Sequence, residues 1–378
     1  MLRNYEETGA KKALKIRTGA LLFACIIVTS ARVAGAADDP DSRAGILKLM
    51  QRVNRWQVKH PVMPPGNRNW ERATWYTGVM AAWKETRDPE FFNQAMAWGQ
   101  EHEWQVGTEY AGANRLFCVE TWLELYFEKP RAAMLAPALE WYRTPARNSP
   151  ANAGRWYLNE DDLSYIDSLY GAAGLAMLSK ATGNPQYLKT MQAFFDDLTG
   201  ALFDKETGLY FEETPFLTRR TARGRKIYWS RGNGWVISGI TRILEYLPES
   251  YPRRQEYVDI LRRMSAALAM RQDASGLWYP SLDDPKEVPQ LETSGTAFFC
   301  HGIAWGINHG VLDRATYLPV VHKAWAGLVR NVSPEGKILG GQPVDFQPNA
   351  FKQDSTHEYV TGAFLLAASQ MYRLADGK

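Results

Sequence analysis

Polar and aromatic side chains cluster at five points of the chain, each just before a segment with helical periodicity. The clusters are Asn114-Arg115 and residues 165–168, 229–235, 292–296 and 354–358. A carboxylate such as Asp167 can transfer protons, and the planar guanidinium of Arg231 can bind an anion through two parallel hydrogen bonds. Helix N-termini present unpaired N–H groups, which also favour negative charge. The clusters therefore indicate a site for a polar anionic ligand, and a sugar carboxylate fits it.

Each cluster taken alone also fits a structural role. Asp167, Glu292 and Asp354 stand where N-terminal helix caps are expected. Residues 231–234 (Arg-Gly-Asn-Gly) fit a tight turn, because Gly and Asn tolerate positive φ. The chain's 14 Trp and 18 Tyr suit stacking on sugar rings, but most are expected to pack between helices. Both interpretations stay open at this point.

A repeated unit determines where the clusters lie. Each unit has an aromatic helix rich in Gly and Ala, a short polar break and a second amphipathic helix. One copy breaks at residues 86–89 and another at 182–185, and helices are predicted at 43–60 and 358–374 at the two ends. Six such pairs predict an all-α (α/α)₆ barrel whose Gly-rich helices form an inner ring. The N-termini of these inner helices, and with them the clusters, then share one mouth. Short β-hairpin insertions are predicted at residues 208–211 and 276–279.

The first 36 residues have the order of a secretory signal peptide, with basic residues, an apolar run and Ala34-Gly35-Ala36. We predict a signal peptide at 1–36, a single catalytic barrel domain at 37–378, and export to the periplasm or the medium. The apolar run at 20–28 is shorter than the roughly 20 residues that span a bilayer, so no stable membrane span is expected. Ordinary cleavage is favoured over lipoprotein anchoring at Cys25, because an apolar run follows that cysteine.

Composition excludes several classes of function. The chain has 44 Lys and Arg against 41 Asp and Glu, and the basic excess lies in residues 1–36, which argues against a nucleic-acid partner. The six His residues lack zinc-site spacing, and no Gly-rich phosphate loop or Gly-x-Ser-x-Gly motif is present. No metal and no cofactor are therefore expected. Outside residues 1–36 only Cys118 and Cys300 remain, too few for a disulfide framework.

From about Asn69 to its C-terminus the chain resembles the unsaturated rhamnogalacturonyl hydrolases of glycoside hydrolase family 105, related to the unsaturated glucuronyl hydrolases of family 88. The resemblance rests on residues 70–82, 165–170, 229–235, 292–296 and 305–308, of which the Arg-Gly-Asn-Gly-Trp run is the most specific. It implies an (α/α)₆ barrel that acts on oligosaccharides made by lyases. The substrate then carries a Δ4,5-unsaturated uronic acid at its non-reducing end, with pectin or rhamnogalacturonan favoured as the source.

The resemblance also implies roles for individual residues. Asp167 matches the aspartate that protonates the C4=C5 double bond and helps a water add at C5, after which the unstable hemiketal opens. Arg231 matches a group that holds the uronate carboxylate or a ring hydroxyl. The expected stacking walls are Trp75, Trp229 and Trp235, and the other expected substrate-binding residues are Asn114, Arg115, Glu212, Asn233, Glu292 and His357.

Two positions depart from the family's pattern and keep two alternatives open. Asn114-Arg115 replaces a pair that commonly contains a second aspartate, and Glu212-Glu213 replaces a common His-Gly-Trp element. One alternative is a sugar-binding relative that has lost catalysis. The other is an inverting hydrolase of a saturated glycan, in which Asp167 works with a second carboxylate. The candidates for that carboxylate are Glu120, Glu292 and Glu358. The sequence indicates neither the aglycone sugar nor the oligomeric state.

Overall fold

The computed structural model describes residues 39–109, 112–143, 166 and 168–375. The α-helices are α1 (Arg43–Lys59), α2 (Trp70–Thr86), α3 (Pro89–Glu101), α4 (Gly112–Glu128), α5 (Ala136–Tyr142), α6 (Ser168–Gly171), α7 (Ala173–Thr182), α8 (Gln186–Leu202), α9 (Ser230–Tyr246), α10 (Arg254–Ala269), α11 (Ser294–Asn308), α12 (Arg314–Arg330) and α13 (Glu358–Leu374). Short 3₁₀ helices span Ala132–Met134 and Thr214–Leu217, and two strands, β1 (Phe203–Asp204) and β2 (Leu209–Tyr210), form one antiparallel hairpin.

Six helical positions form a closed inner ring within the described part of the chain. In order around the ring they are α2, α4, α6 with α7, α9, α11 and α13, and α13 packs back against α2. The remaining helices, α1, α3, α5, α8, α10 and α12, alternate with them along the chain and form the outer layer. This arrangement confirms the predicted (α/α)₆ barrel, including the pairing of its first and last helices.

Glycines allow neighbouring inner helices to approach at backbone distance. A Cβ atom added to Gly78 on α2 would lie 2.4 Å from the carbonyl oxygen of Gly362 on α13. One added to Gly362 would lie 2.2 Å from the carbonyl oxygen of Thr74. Such distances are shorter than any tolerated contact, so only glycine fits at either position. The Gly-rich composition of the inner ring is thus a consequence of helix convergence.

The predicted helix breaks are confirmed, and the structure shows how they form. Helix α2 ends at Thr86 because Arg87 adopts a left-handed conformation, with φ of 57°. Helix α3 begins at once, since the carboxylate of Asp88 accepts a hydrogen bond from the backbone N–H of Glu90 at 3.0 Å and Pro89 occupies the first turn. At the second break the helix likewise ends before a residue in the left-handed conformation, Gly183, which has φ of 73°.

Only one of the two predicted hairpins forms. The strand at Leu209–Tyr210 pairs with β1 and is confirmed. At residues 276–279 the prediction of a strand is wrong, because Trp278 makes a single isolated bridge to Glu292. The N–H of Trp278 instead donates to the hydroxyl of Thr296, in the first turn of α11, at 3.1 Å. A helix side chain therefore takes the donor that a second strand would need.

Within the described residues, no helix has the length and apolar character needed to cross a bilayer.

We expect the buried His301 of α11 to make the fold sensitive to acid. Its ring is 3% exposed and contacts the Ser238 hydroxyl at 3.0 Å, and burial, with a smaller contribution from the charge of Arg242, lowers its pKa to about 3. The unfolded histidine, with a pKa near 6.5, then binds a proton that the folded one does not. Stability from this group is complete above about pH 6.5 and falls as the pH drops towards 3, by about 2 kcal/mol at pH 5.

Urea unfolding of the wild type, His301→Asn and His322→Asn between pH 8 and pH 5 measures this contribution. His322 is exposed on α12 and is the matched control. We expect a shallower loss of unfolding free energy on acidification for His301→Asn alone. Identical pH dependence in all three proteins contradicts the assignment.

Candidate active site

An aromatic cluster closes the inner ring beneath the N-termini of the inner helices. Its centre is Trp235, which is 1% exposed. The ring of Trp235 lies 4.4 Å from Phe298, 5.0 Å from Tyr170, 5.8 Å from Trp70 and 6.3 Å from Tyr359, measured between centroids. Five inner helices thus meet at one indole. Trp235 forms the packed floor of the site, which differs from the stacking wall predicted for it.

The other two predicted walls are also buried. Trp229 is 1% exposed and donates its indole N–H to Gln342 Oε1 at 2.9 Å. Trp75 is 4% exposed and donates to Asn54 Oδ1 at 2.8 Å. Burying these rings with their N–H groups satisfied fixes the helix ends around them. Their contribution to the site is therefore support for its shape.

Trp70, the first residue of α2, is the partly exposed indole at this end of the ring. It is stacked on Tyr359 with ring centroids 5.2 Å apart and an angle of 25°. The sequence offered one signal for it, the start of an inner helix, where side chains meet the mouth. Prediction missed Trp70 because other tryptophans near helix starts carried the same signal.

Arg231 hydrogen-bonds to the segment that precedes α13. Its Nη1 donates to the carbonyl of Gln342 at 3.0 Å, and its Nη2 donates to those of Pro343 at 2.8 Å and Asp345 at 3.3 Å. The guanidinium lies 4.3 Å above the Trp229 ring, and its side chain is 1% exposed. Within the described residues its buried Nε has no hydrogen-bond partner. The structure thus places Arg231 at the site as a loop anchor, and contact with the uronate stays a prediction.

Asn233 joins the hairpin to α9. Its amide nitrogen donates to the carbonyls of Tyr210 and Trp229, both at 3.0 Å, and its Oδ1 accepts the N–H of Tyr210 at 2.9 Å. The side chain is fully buried. Both amide hydrogens and the oxygen are engaged, which corrects the expected substrate contact to a structural role.

Glu292 caps α11, as the structural interpretation of its cluster predicted. Its carboxylate is fully buried and accepts hydrogen bonds from the Ser230 hydroxyl at 2.8 Å, the Ser294 hydroxyl at 2.6 Å and the N–H of Gly295 at 2.8 Å. Three protein donors thus bind the two carboxylate oxygens. Glu292 ties the starts of α9 and α11 together, so the expected substrate contact is corrected to a cap.

His357 precedes α13 and is partly exposed at the mouth. Its Nδ1 accepts the N–H of Glu358 at 3.0 Å, and its ring stacks on Tyr359 at 4.5 Å. Burial and then the positive charge of Arg231 lower the pKa of His357 to about 4. The ring is therefore neutral near pH 7, and its Nε2 is a donor available to a ligand, since Nδ1 acts as acceptor.

Asn114, Arg115 and Glu212 lie around the same end of the ring. Asn114 and Arg115 are partly exposed in the first turns of α4, and Arg115 Nε donates to the carbonyl of Glu109 at 2.7 Å. Glu212 is 1% exposed, and its carbonyl accepts the N–H of Ile166 at 3.0 Å. Asp167 lies outside the described residues. Its predecessor Ile166 is thus held against the segment that follows the hairpin.

The three carboxylates considered as partners for an inverting reaction all have structural partners. Glu120 Oε2 accepts from Arg242 at 2.6 and 2.9 Å, and Glu292 caps α11. Glu358 Oε1 accepts the N–H groups of Val62 and Met63, at 3.0 and 2.9 Å. Glu358 is fully buried and is also paired with Arg72. All three carboxylates are thus engaged with protein groups, and the inverting alternative is not favoured.

Comparisons with known proteins identify a family. A model described as glycosyl hydrolase family 88 matches residues 46–375. An unsaturated 3S-rhamnoglycuronyl hydrolase of Formosa agariphila is 26% identical over 97% of this chain and 99% of its own length. The structure of a family 88 glycosyl hydrolase from Bacteroides vulgatus is 28% identical with a TM-score of 0.79, covering 88% of this chain and 99% of that one. A solved structure named as a polysaccharide lyase is 30% identical with a TM-score of 0.81, covering 89% and 99%.

Proposed function

Because a family model matches nearly the whole barrel, the chain belongs to glycosyl hydrolase family 88, and we propose that it removes a Δ4,5-unsaturated uronic acid from the non-reducing end of lyase-generated oligosaccharides. It is a glycoside hydrolase. The end-to-end match to the unsaturated rhamnoglycuronyl hydrolase is the observation that carries the proposal. That relative's name also favours a rhamnose-containing substrate, in keeping with the preference for rhamnogalacturonan.

The proposed reaction needs one acid/base and one water molecule. Asp167 protonates the C4=C5 double bond, a water adds at C5, and the resulting hemiketal opens and releases the remaining sugar. The residues that flank Asp167 support this role. Ile166, Ser168 and Leu169 are all fully buried. The proposal places the carboxyl of Asp167 in the same buried setting, since an apolar environment raises the pKa of a carboxyl group and favours proton donation near neutral pH.

The neutral His357 and the partly exposed Asn114 and Trp70 supply the binding contacts in this proposal. A donor at His357 Nε2 and the amide of Asn114 suit ring hydroxyls, and Trp70 offers an indole for the sugar. Arg231 and Trp235 hold the floor and the loop in place. Export through the N-terminal leader is part of the same proposal and is supported by the order of basic, apolar and small residues in 1–36.

The ultraviolet absorbance of the Δ4,5 double bond tests the reaction. The purified protein is mixed with lyase digests of rhamnogalacturonan, of a sulfated rhamnoglycuronan and of a glycosaminoglycan, and separately with each uncut polysaccharide. We expect absorbance to fall with at least one digest. A rise with uncut polysaccharide means that the double bond is being formed, which is lyase activity. Binding without any change in absorbance identifies a sugar-binding relative instead.

A further inference from the structure

A basic segment follows the 3₁₀ helix Thr214–Leu217, and its charges are unequally paired. Its cations are Arg219, Arg220, Arg223, Arg225 and Lys226. Arg223 pairs with Asp284 at 2.8 Å, and Lys226 pairs with Asp204 at 2.7 Å. Among the described residues no carboxylate lies within ion-pair distance of Arg219, Arg220 or Arg225. Three exposed positive charges therefore remain available on this segment.

Arg219 differs from the other two because it reaches the loop that Arg231 holds. Its Nη2 donates to Gln347 Oε1 at 3.0 Å, and its guanidinium lies 4.4 Å from the centre of the Phe216 ring. Gln347 follows Asp345 by two residues, and the carbonyl of Asp345 accepts from Arg231 Nη2. One short loop thus connects the exposed arginine to the anchored arginine at the active site. This hydrogen bond links the basic segment to the loop at the start of α9.

Large apolar side chains are exposed on the two segments that the Arg219–Gln347 hydrogen bond joins. Leu217 is 36% exposed, Val344 49% and Phe346 48%. Half of the six large hydrophobic residues exposed in the described part of the chain therefore lie on these two segments. Leu217, Arg219, Val344 and Phe346 together are called the rim patch below. The carboxylate of Asp345, in the same loop, accepts hydrogen bonds from the N–H of Phe346 and the side-chain amide of Asn349.

We propose that the rim patch binds the sugar that follows the unsaturated uronate, and that this sugar carries an anionic group, a sulfate ester or a carboxylate, which Arg219 binds. The proposal rests on the proposed function, since it places the uronate at the inner site. Arginine binds both anions through paired N–H donors, and the apolar members contact the C–H face or methyl group of a sugar. The patch then determines which oligosaccharide is accepted.

Turnover of matched disaccharides tests the patch. All substrates carry the same unsaturated uronate. The sugar that follows it is unsubstituted in one substrate, sulfated in the second and oxidised to its carboxylate form in the third. Arg219→Gln is expected to lower kcat/KM on one anionic substrate about tenfold, mainly by raising KM, and to leave the unsubstituted one unchanged. Added salt is also expected to reduce the wild type's preference for the anionic substrate over the unsubstituted one. The anionic substrate that is affected identifies the group.

Two control variants separate charge from loop anchoring. Arg225→Gln removes an equally exposed cation from the same segment, and we expect wild-type kinetics from it. Gln347→Ala removes the loop partner of Arg219 and keeps its charge, so the preference is expected to persist. If Gln347→Ala reproduces Arg219→Gln, or if Arg219→Gln affects all substrates equally, the proposal is overturned.

Failure of the proposed function gives a different result. The wild type then turns over none of the disaccharides, whatever the state of the rim patch. Calorimetric titration of the sulfated and carboxylated disaccharides into the wild type and Arg219→Gln still decides the matter. Weaker binding in the variant supports the rim patch, and equal binding or none overturns it.

Discussion

Asp167→Asn is expected to lower kcat by about two to four orders of magnitude while the melting temperature stays within a few degrees of the wild type. Asparagine keeps the size and hydrogen-bonding oxygen of aspartate but has no carboxyl proton to donate to the double bond. Because the two side chains have nearly the same shape, we expect the variant to fold as the wild type does. The measurement is the fall in ultraviolet absorbance of an unsaturated disaccharide under saturating substrate.

Asp354→Asn is the matched control for this prediction. Asp354 is an exposed carboxylate in another cluster that precedes an inner helix, so the same chemical change there tests whether any acid near the mouth suffices. We expect full activity from this variant. Turnover by Asp167→Asn at the wild-type rate contradicts the acid/base assignment. An equal loss in both variants assigns the effect to the electrostatics of the mouth.

The helices of the barrel could be predicted because their determinants are local. Asp88-Pro89 signals the end of one helix and the start of the next. In the structure Asp88 caps α3 and Pro89 lies in its first turn. Glycines such as Gly78 marked the inner ring, because close helix packing leaves no room for a Cβ. Such signals act over a few residues, so a single sequence reveals them. The strand expected at residues 276–279 failed because a hydroxyl from another helix took its donor.

The described residues of the predicted site lie at one end of the ring, but the sequence did not predict which of their side chains are buried. In the sequence, Trp229 and Arg231 cannot be distinguished from an exposed aromatic and cationic pair near a helix start. Their partners, Gln342 and Pro343, lie more than 100 residues away along the chain, and only the fold brings them together. For the same reason the partly exposed Trp70 was missed. Position in the ring therefore follows from sequence, whereas exposure depends on contacts between distant segments.

Arg242→Met is expected to lower the free energy of unfolding by about 3–5 kcal/mol, because it leaves buried carboxylates without their cation. Arg242 is 2% exposed inside the ring and donates to Glu120 Oε2 at 2.6 Å, with Glu124 Oε1 at 3.4 Å. Burial raises the pKa of Glu120 to about 7 even with Arg242 opposing it. Without Arg242 the pKa of Glu120 rises further. The wild type stops losing stability through Glu120 above about pH 7, whereas the variant continues to lose it, so the difference in unfolding free energy between them grows as the pH rises above 7.

Chemical unfolding of three variants isolates this interaction. Arg242→Met with Glu120→Gln removes both charges, and we expect it to recover part of the loss, since the remaining cost is packing and the nearby Glu124. Arg253→Met removes an arginine from a surface pair with Asp196, whose side chains are 42% and 43% exposed, and should cost less than about 1 kcal/mol. A loss for Arg242→Met as small as that of Arg253→Met means that water reaches the interior of the ring and solvates Glu120. The barrel axis is then hydrated, and the inner helices do not depend on charge pairing for their stability.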